Sequence, residues 1–170
     1  MYRHILIATD GSPVSEQAAQ AGIALARALG ARLTALHVVA ELEEPPLESW
    51  AHGDAEFTAK LGKALEKRGA LYVDGVREAA LRAGVACECA VVRGPSPAGQ
   101  IVAEARSRAC DLVVMASHGH KGSGGLAGSE TLKVVALGGI PVLAHHPSPA
   151  AAAKPQRAPQ KRSDSRRRTQ

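Results

Sequence analysis

Residues 4–39 read HILIATDGSPVSEQAAQAGIALARALGARLTALHVV, and the succession of patterns in this stretch decides the fold. His4 to Thr9 is a short apolar run closed by the turn signal Asp10-Gly11, as in a strand buried on both faces. Ser12-Pro13 offers a helix cap and a first-turn proline. Ala18, Ala19, Ile23, Leu25, Ala26 and Leu29 then recur at largely helical spacing until Gly30 stops them. Arg32 to Val39 is strand-like again, so the stretch is one strand-helix-strand unit.

The same alternation continues outward. Glu41 to Ser49, with Pro45-Pro46 and four glutamates, is a loop. A long helical region runs from about Phe57 to Arg82, with an interruption expected near Gly69 or Gly75. A strand from Ala86 to Val92 follows, then Gly94-Pro95-Ser96-Pro97 opening a helix that ends near Arg108, and a strand from Asp111 to Ala116. After a glycine-rich loop come a short helix from about Ser129 to Leu137 and a last strand from Pro141 to His145. The pattern β-α-β-α-β-α-β-α-β predicts a doubly wound α/β domain: a parallel five-stranded sheet with helices on both faces and right-handed crossovers. With strand order 3-2-1-4-5, ligands belong outside the carboxyl ends of the first and fourth strands, where the order reverses.

Composition agrees with one such domain. The chain has 170 residues, 45% of them hydrophobic, with one Phe, two Tyr and one Trp, so its core is built from Ala, Val, Leu and Ile. The apolar runs fall far short of the roughly 18 residues that span a bilayer, and no export signal is visible. Three cysteines, Cys87, Cys89 and Cys110, make an odd number and point to reduced thiols and a cytoplasmic address. Cys87-x-Cys89 lies inside an alternating strand, and no second ligand pair at metal-site spacing follows it.

The formal net charge of +5 is unevenly placed. From Pro147 to Gln170 the residues Lys154, Arg157, Lys161, Arg162, Arg166, Arg167 and Arg168 stand against Asp164 alone, so this segment carries +6 and residues 1–146 carry −1. The near-neutral body gives no electrostatic reason for a nucleic-acid surface. The tail, rich in Ala, Pro, Gln, Ser and Arg, is expected to stay disordered, and any polyanion binding by it to be electrostatic and sequence-independent, since it has no aromatic residue to stack on bases.

The chemistry concentrates where the switch point falls. After the fourth strand the chain reads ASHGHKGSGGLAGSET, Ala116 to Thr131, with glycines at 119, 122, 124, 125 and 128. Glycines let consecutive backbone N–H groups face an anion. Gly128-Ser129 opens the next helix, whose amino end adds partial positive charge, and Ser129 and Thr131 add hydroxyls. No G-x-x-x-x-G-K-[ST] is present, which excludes a Walker-type hydrolase, and Gly122-x-Gly124-x-x-x-Gly128 has neither the place nor the spacing of a dinucleotide fingerprint.

These segments resemble the universal stress protein family over about residues 1–146. MASHGHKG and GSETLKVVALGGIPVLAHH are similar to its carboxyl half, and HILIATDGSPVSEQAAQAGIALARALGARLTALHVV to its amino half. In the family's ATP-binding members the loop is G-x-x-G, nine residues, then G-[ST]. Here Ala116 stands at the first glycine, Gly119 at the second, and eight residues precede Gly128-Ser129. The resemblance implies that Asp10 lies beside an adenine nucleotide, that Val38 meets the adenine through its backbone, and that Gly119 and Gly128 line the phosphates while Ser129 and Thr131 donate to them. Gly122 joins this set as a glycine of the same loop. ATP is the implied ligand and a homodimer through the last strand the implied assembly; Mg²⁺ is expected with the triphosphate because it partly neutralises the oxygens, with the Asp10 carboxylate near the ion without touching it directly.

Plainer roles compete for the remaining residues. Asp10 reads equally as a turn former, and a phosphoacceptor role is excluded because the third strand ends Val92-Arg93-Gly94 without an Asp. His118, His120, His145 and His146 lack Cys or carboxylate companions for a metal, although His120 with Lys121 is placed to reach a phosphate. No Ser-His-Asp or Cys-His constellation and no G-x-S-x-G elbow can be assembled, so a turnover enzyme is not expected. Two other functions stay open: a dimeric stress protein that acts through protein partners without nucleotide, favoured by Ala116 and the shorter loop, and polyanion association through the tail.

Overall fold

The computed structural model describes residues 1–41, 54–117 and 128–146. Nine elements alternate along them: β1 (His4–Ala8), α1 (Pro13–Leu29), β2 (Arg32–Ala40), α2 (Asp54–Arg82), β3 (Cys87–Gly94), α3 (Pro97–Ser107), β4 (Leu112–Ala116), α4 (Ser129–Leu137) and β5 (Val142–His145). All five strands are parallel in the order β3-β2-β1-β4-β5, with Ile7 paired to Ala35 on one side and Val114 on the other. The doubly wound architecture expected from the sequence is therefore present.

Alternation along β1 divides the core in two. Ile5 and Ile7 face α1 and α2 and pack with Ile23, Leu33, Val73 and Val114. Leu6 and Ala8 face α3 and α4 and pack with Leu36, Ile101, Val113 and Val134. Each fully buried Ile or Leu contributes about 1.5–3 kcal/mol relative to exposure, and a strand covered on both faces has no polar positions to alternate. That is why β1 and β4 read as unbroken apolar runs.

Local signals set most helix ends. Ser12 and Ser96 accept hydrogen bonds from the backbone N–H groups of Ser15 and Gly99 at 3.2 Å each, and a proline follows each cap. Gly30 closes α1 in the left-handed region at φ 65°. Two expectations need correction. α2 runs unbroken from Asp54 to Arg82, because Gly69 makes room for the His37 ring, which a Cβ there would overlap. Gly75 faces open space, and its propensity cost of about 1 kcal/mol is offset by the burial of Val73, Val76 and Ala80. β3 also extends to Gly94 rather than ending at Val92, since β2 offers partners as far as Ala40. Of the expected loop Glu41 to Ser49, all but Glu41 lies outside the described residues. No described helix is long and apolar enough to cross a membrane.

A polar cluster closes the amino edge of the sheet. His4 is 4% exposed, with Nε2 2.9 Å from Thr34 Oγ1 and Nδ1 3.0 Å from the Arg108 carbonyl. The carbonyl can only accept, so Nδ1 carries the proton and Nε2 accepts from Thr34. Burial, and next the Arg32 guanidinium, push this imidazole below its ordinary value. Burial raises the Asp111 carboxyl, but the backbone N–H groups of Arg3 and His4, which donate to it at 2.8 and 3.0 Å, hold it below its ordinary value overall.

Candidate functional site

The opposite, carboxyl edge carries the candidate site. β1 runs into the turn Thr9–Ser12, where Asp10 Oδ1 accepts the Ser12 N–H at 3.0 Å and Gly11 takes φ 74°. Asp10 is thus a turn former in this geometry, with its carboxylate fastened at the end of β1. The turn is held from below by hydroxyls: Thr9 Oγ1 accepts the Gly11 N–H at 3.2 Å and lies 3.0 Å from Ser15 Oγ, which donates to the Ser12 carbonyl at 2.9 Å.

Two aromatic rings brace the turn from the α2 side. His37 Nδ1 donates to the Thr9 carbonyl at 2.8 Å, and its ring meets Tyr72 edge to face at 5.3 Å between centroids. The Tyr72 ring lies against the Gly11 Cα, so closely that any Cβ at Gly11 would overlap it. Val38, one residue further along β2, points to the other face, where it packs half-buried against the α3–α4 core. His37 and Val38 therefore divide the work at the end of β2, one fixing the β1 turn and the other lining the α4 side.

β4 and α4 complete the edge through four hydrogen bonds. The Ser117 N–H donates to the His145 carbonyl at 2.7 Å, and Ser117 Oγ lies 2.8 Å from His146 Nδ1. The Gly128 N–H donates to the Ser117 carbonyl, and Thr131 Oγ1 donates to the Ala116 carbonyl at 3.0 Å. The two ends of the glycine-rich segment are thereby tied to each other and to the end of β5. Gly128 caps α4 without a side-chain bond, while Ser129 is exposed on its first turn. The first backbone bond of α4 runs from the Leu132 N–H to the Gly128 carbonyl at 3.1 Å, so the N–H groups of Ser129, Glu130 and Thr131 have no acceptor within the helix.

Of the residues singled out from the sequence, Asp10, Val38, Gly128, Ser129 and Thr131 stand at the carboxyl ends of the adjacent strands β2, β1 and β4 or on the helix that opens there. Gly119 and Gly122, with His118, His120 and Lys121, lie outside the described residues. Thr131 spends its one hydroxyl proton on Ala116, so toward a ligand it can only accept while that bond stands. Sequence reasoning missed His37, Tyr72, Glu130, and the pairing of Ser117 with His146. Gly11 and Gly69 were the available signals for the first two, as glycines that make way for rings; no local pattern announces the others.

The doubly wound sheet, with a capped turn after β1 and a helix amino end opening after β4, places the chain among open α/β domains, whose ligands in general bind outside the carboxyl ends of the strands. Residues 1–146 match the Universal stress protein family, and the chain belongs to it. Universal stress protein YxiE of Bacillus subtilis is 30% identical over an alignment of 146 residues, with 84% of this chain and 98% of that protein covered. Among solved structures, protein MJ0577 is 26% identical with a TM-score of 0.73, covering 87% of this chain and 98% of its own. Two more distant folds contain nucleotides. A universal stress protein in complex with cAMP has 23% identity, TM-score 0.59 and coverage of 85% and 97%; an Arabidopsis thaliana family member with AMP bound has 18%, 0.59 and 88% and 94%.

Proposed function

We propose that this chain is a cytoplasmic stress-response regulator that binds an adenine nucleotide, ATP accompanied by Mg²⁺, and works as a homodimer rather than by turnover. The observation that carries the reading is the coincidence at one edge of the Asp10 turn, Val38 and the amino end of α4 at Gly128-Ser129, in a chain of this family. The adenine would lie against Val38, with Asp10 close to the sugar or the ion. The phosphates would take the backbone N–H groups of Gly119, Gly122 and the first turn of α4, and the Ser129 hydroxyl. Gly128 serves by leaving room, and Thr131 by holding Ala116 and the start of α4 in place.

Titration calorimetry with ATP and Mg²⁺ tests this. The wild type should bind. Gly128→Val should not, because its side chain intrudes where the phosphates approach. Ser129→Ala should lose about 1.5–3 kcal/mol, the worth of a hydrogen bond to a charged group, or about 10- to 150-fold in Kd. A wild type silent at millimolar ATP that gains binding on Ala116→Gly would instead mean that the departure at Ala116 has removed the site, and that the chain acts through protein partners.

Dimerisation is proposed through β5, which lies at the edge of the sheet with Leu143 38% exposed. Leu132 and Val135 of α4, 58% and 56% exposed, are further apolar side chains on the element that packs beside β5.

A further inference from the structure

The amino end of α4 carries a charge that phosphate binding does not require. Glu130 is the second residue of α4, next to Ser129, and its carboxylate is held on both oxygens. Oε2 accepts the Ala98 N–H at 3.0 Å, and Oε1 accepts from Lys133 Nζ at 2.7 Å. Ala98 is the second residue of α3, so this N–H is one of the donors that a helix cannot satisfy internally. The amino ends of two helices, each worth roughly half a positive charge, thus converge on one fixed carboxylate.

Among the described residues where β1 and β4 end, the other charged side chain is Asp10, also acidic, and Lys133 is already matched to Glu130. An arriving phosphate meets backbone donors and a hydroxyl, but also two carboxylates that hydrogen bonds prevent from swinging away.

We infer that Glu130 is a specificity-determining residue that limits the negative charge of the ligand, so that a nucleoside monophosphate or an Mg²⁺-complexed triphosphate is accepted and a metal-free triphosphate is rejected. This rests on the nucleotide reading given above. Complexation by Mg²⁺ removes about two charges from a triphosphate and brings it to the level of a monophosphate. Near a protein surface each extra ligand charge about 10 Å from a carboxylate weakens binding by roughly 3- to 10-fold, once partial compensation by Lys133 is allowed for. Two excess charges therefore cost on the order of 10- to 100-fold.

The test is calorimetry on the full chain with AMP, with ATP plus Mg²⁺, and with ATP plus EDTA, at low and high salt, for the wild type and Glu130→Gln. Glutamine keeps an oxygen for the Ala98 N–H, so the α3–α4 contact remains. In the wild type, EDTA should weaken ATP about 10- to 100-fold and leave AMP unchanged. In Glu130→Gln that loss should shrink to within about threefold, and high salt should bring the two proteins together. Lys133→Ala, which uncovers the carboxylate, should deepen the EDTA loss, and so gives a reading in the opposite direction should Glu130→Gln fold poorly. An EDTA loss identical in wild type and variants overturns the inference while leaving the nucleotide site intact, and equal tightening of AMP and free ATP by Glu130→Gln does the same. Absence of binding by every nucleotide to every protein overturns the nucleotide reading and this inference with it.

Discussion

Replacing His4 by Phe fills the imidazole's volume and deletes both of its hydrogen bonds. The Thr34 hydroxyl, fully buried, loses the acceptor at 2.9 Å, and the Arg108 carbonyl loses its donor at 3.0 Å. An unsatisfied buried polar group costs about 1–3 kcal/mol, and Thr34 keeps a contact with the Cys110 thiol, so a total of about 2–4 kcal/mol is expected. For a domain of this size that lowers Tm by roughly 5–15 °C. The same residue should make the wild type acid-sensitive. Its folded pKa lies below the ordinary 6.5, so the unfolded chain binds the proton more readily. The neutral form's contribution is complete above 6.5 and is lost as pH falls toward the folded value. Burial and Arg32 of β2 favour that neutral form, while the Arg108 carbonyl, Glu88 of β3 and Asp111, just before β4, oppose them. Asp111 itself acts in a lower window, because its folded pKa is below 3.8 and its stabilisation fades only under that value. Thermal melts by circular dichroism at pH 7.5 and 5.0 therefore isolate His4. A Phe variant within about 2 °C of wild type at pH 7.5, or one whose melting point falls as far as the wild type's between the two pH values, would refute the reasoning.

Gly11→Ala should destabilise by about 2–4 kcal/mol, because the residue sits at φ 74° and its Cβ overlaps Tyr72; in a double-mutant cycle Tyr72→Ala should recover the steric part and leave the backbone part. Leu143→Lys, on the exposed edge strand, should convert a dimer to a monomer in sedimentation velocity without lowering the monomer's helix content, and an unaltered dimer would move the interface elsewhere. Burial pushes the Cys87 and Cys110 thiols up to about 11, with the neighbouring Cys89 adding to the shift at Cys87. Both should therefore react slowly with iodoacetamide at pH 8 in the native chain and quickly in denaturant, and rapid native labelling would show that the core around them opens. Removing residues 147–170, which lie beyond the family match, should leave Tm unchanged in calorimetry.

The sequence by itself determined the order and type of the elements. A strand covered on both faces has to be apolar at consecutive positions, as at Ile5-Leu6-Ile7, and a helix end needs a particular cap or glycine, as at Ser12, Gly30 and Ser96; such requirements are met within a few neighbouring residues and can be read locally. Once strands and helices alternate, the parallel sheet and the edge at which its order reverses follow from connection rules, and that edge singles out Asp10 and Ser129. Tertiary structure alone decided the partners of the polar groups. Gly69 was expected to weaken α2 because a glycine costs a helix about 1 kcal/mol, but His37, a residue of another element, occupies the space it leaves. Nothing near Glu130 in sequence indicates that its carboxylate meets the Ala98 N–H, nor that His4 ties Thr34 to Arg108, nor that the Thr131 proton goes to Ala116. A polar side chain fixes only what it can donate or accept. Which group it finds depends on the face and register of elements far away in the chain, and packing settles both.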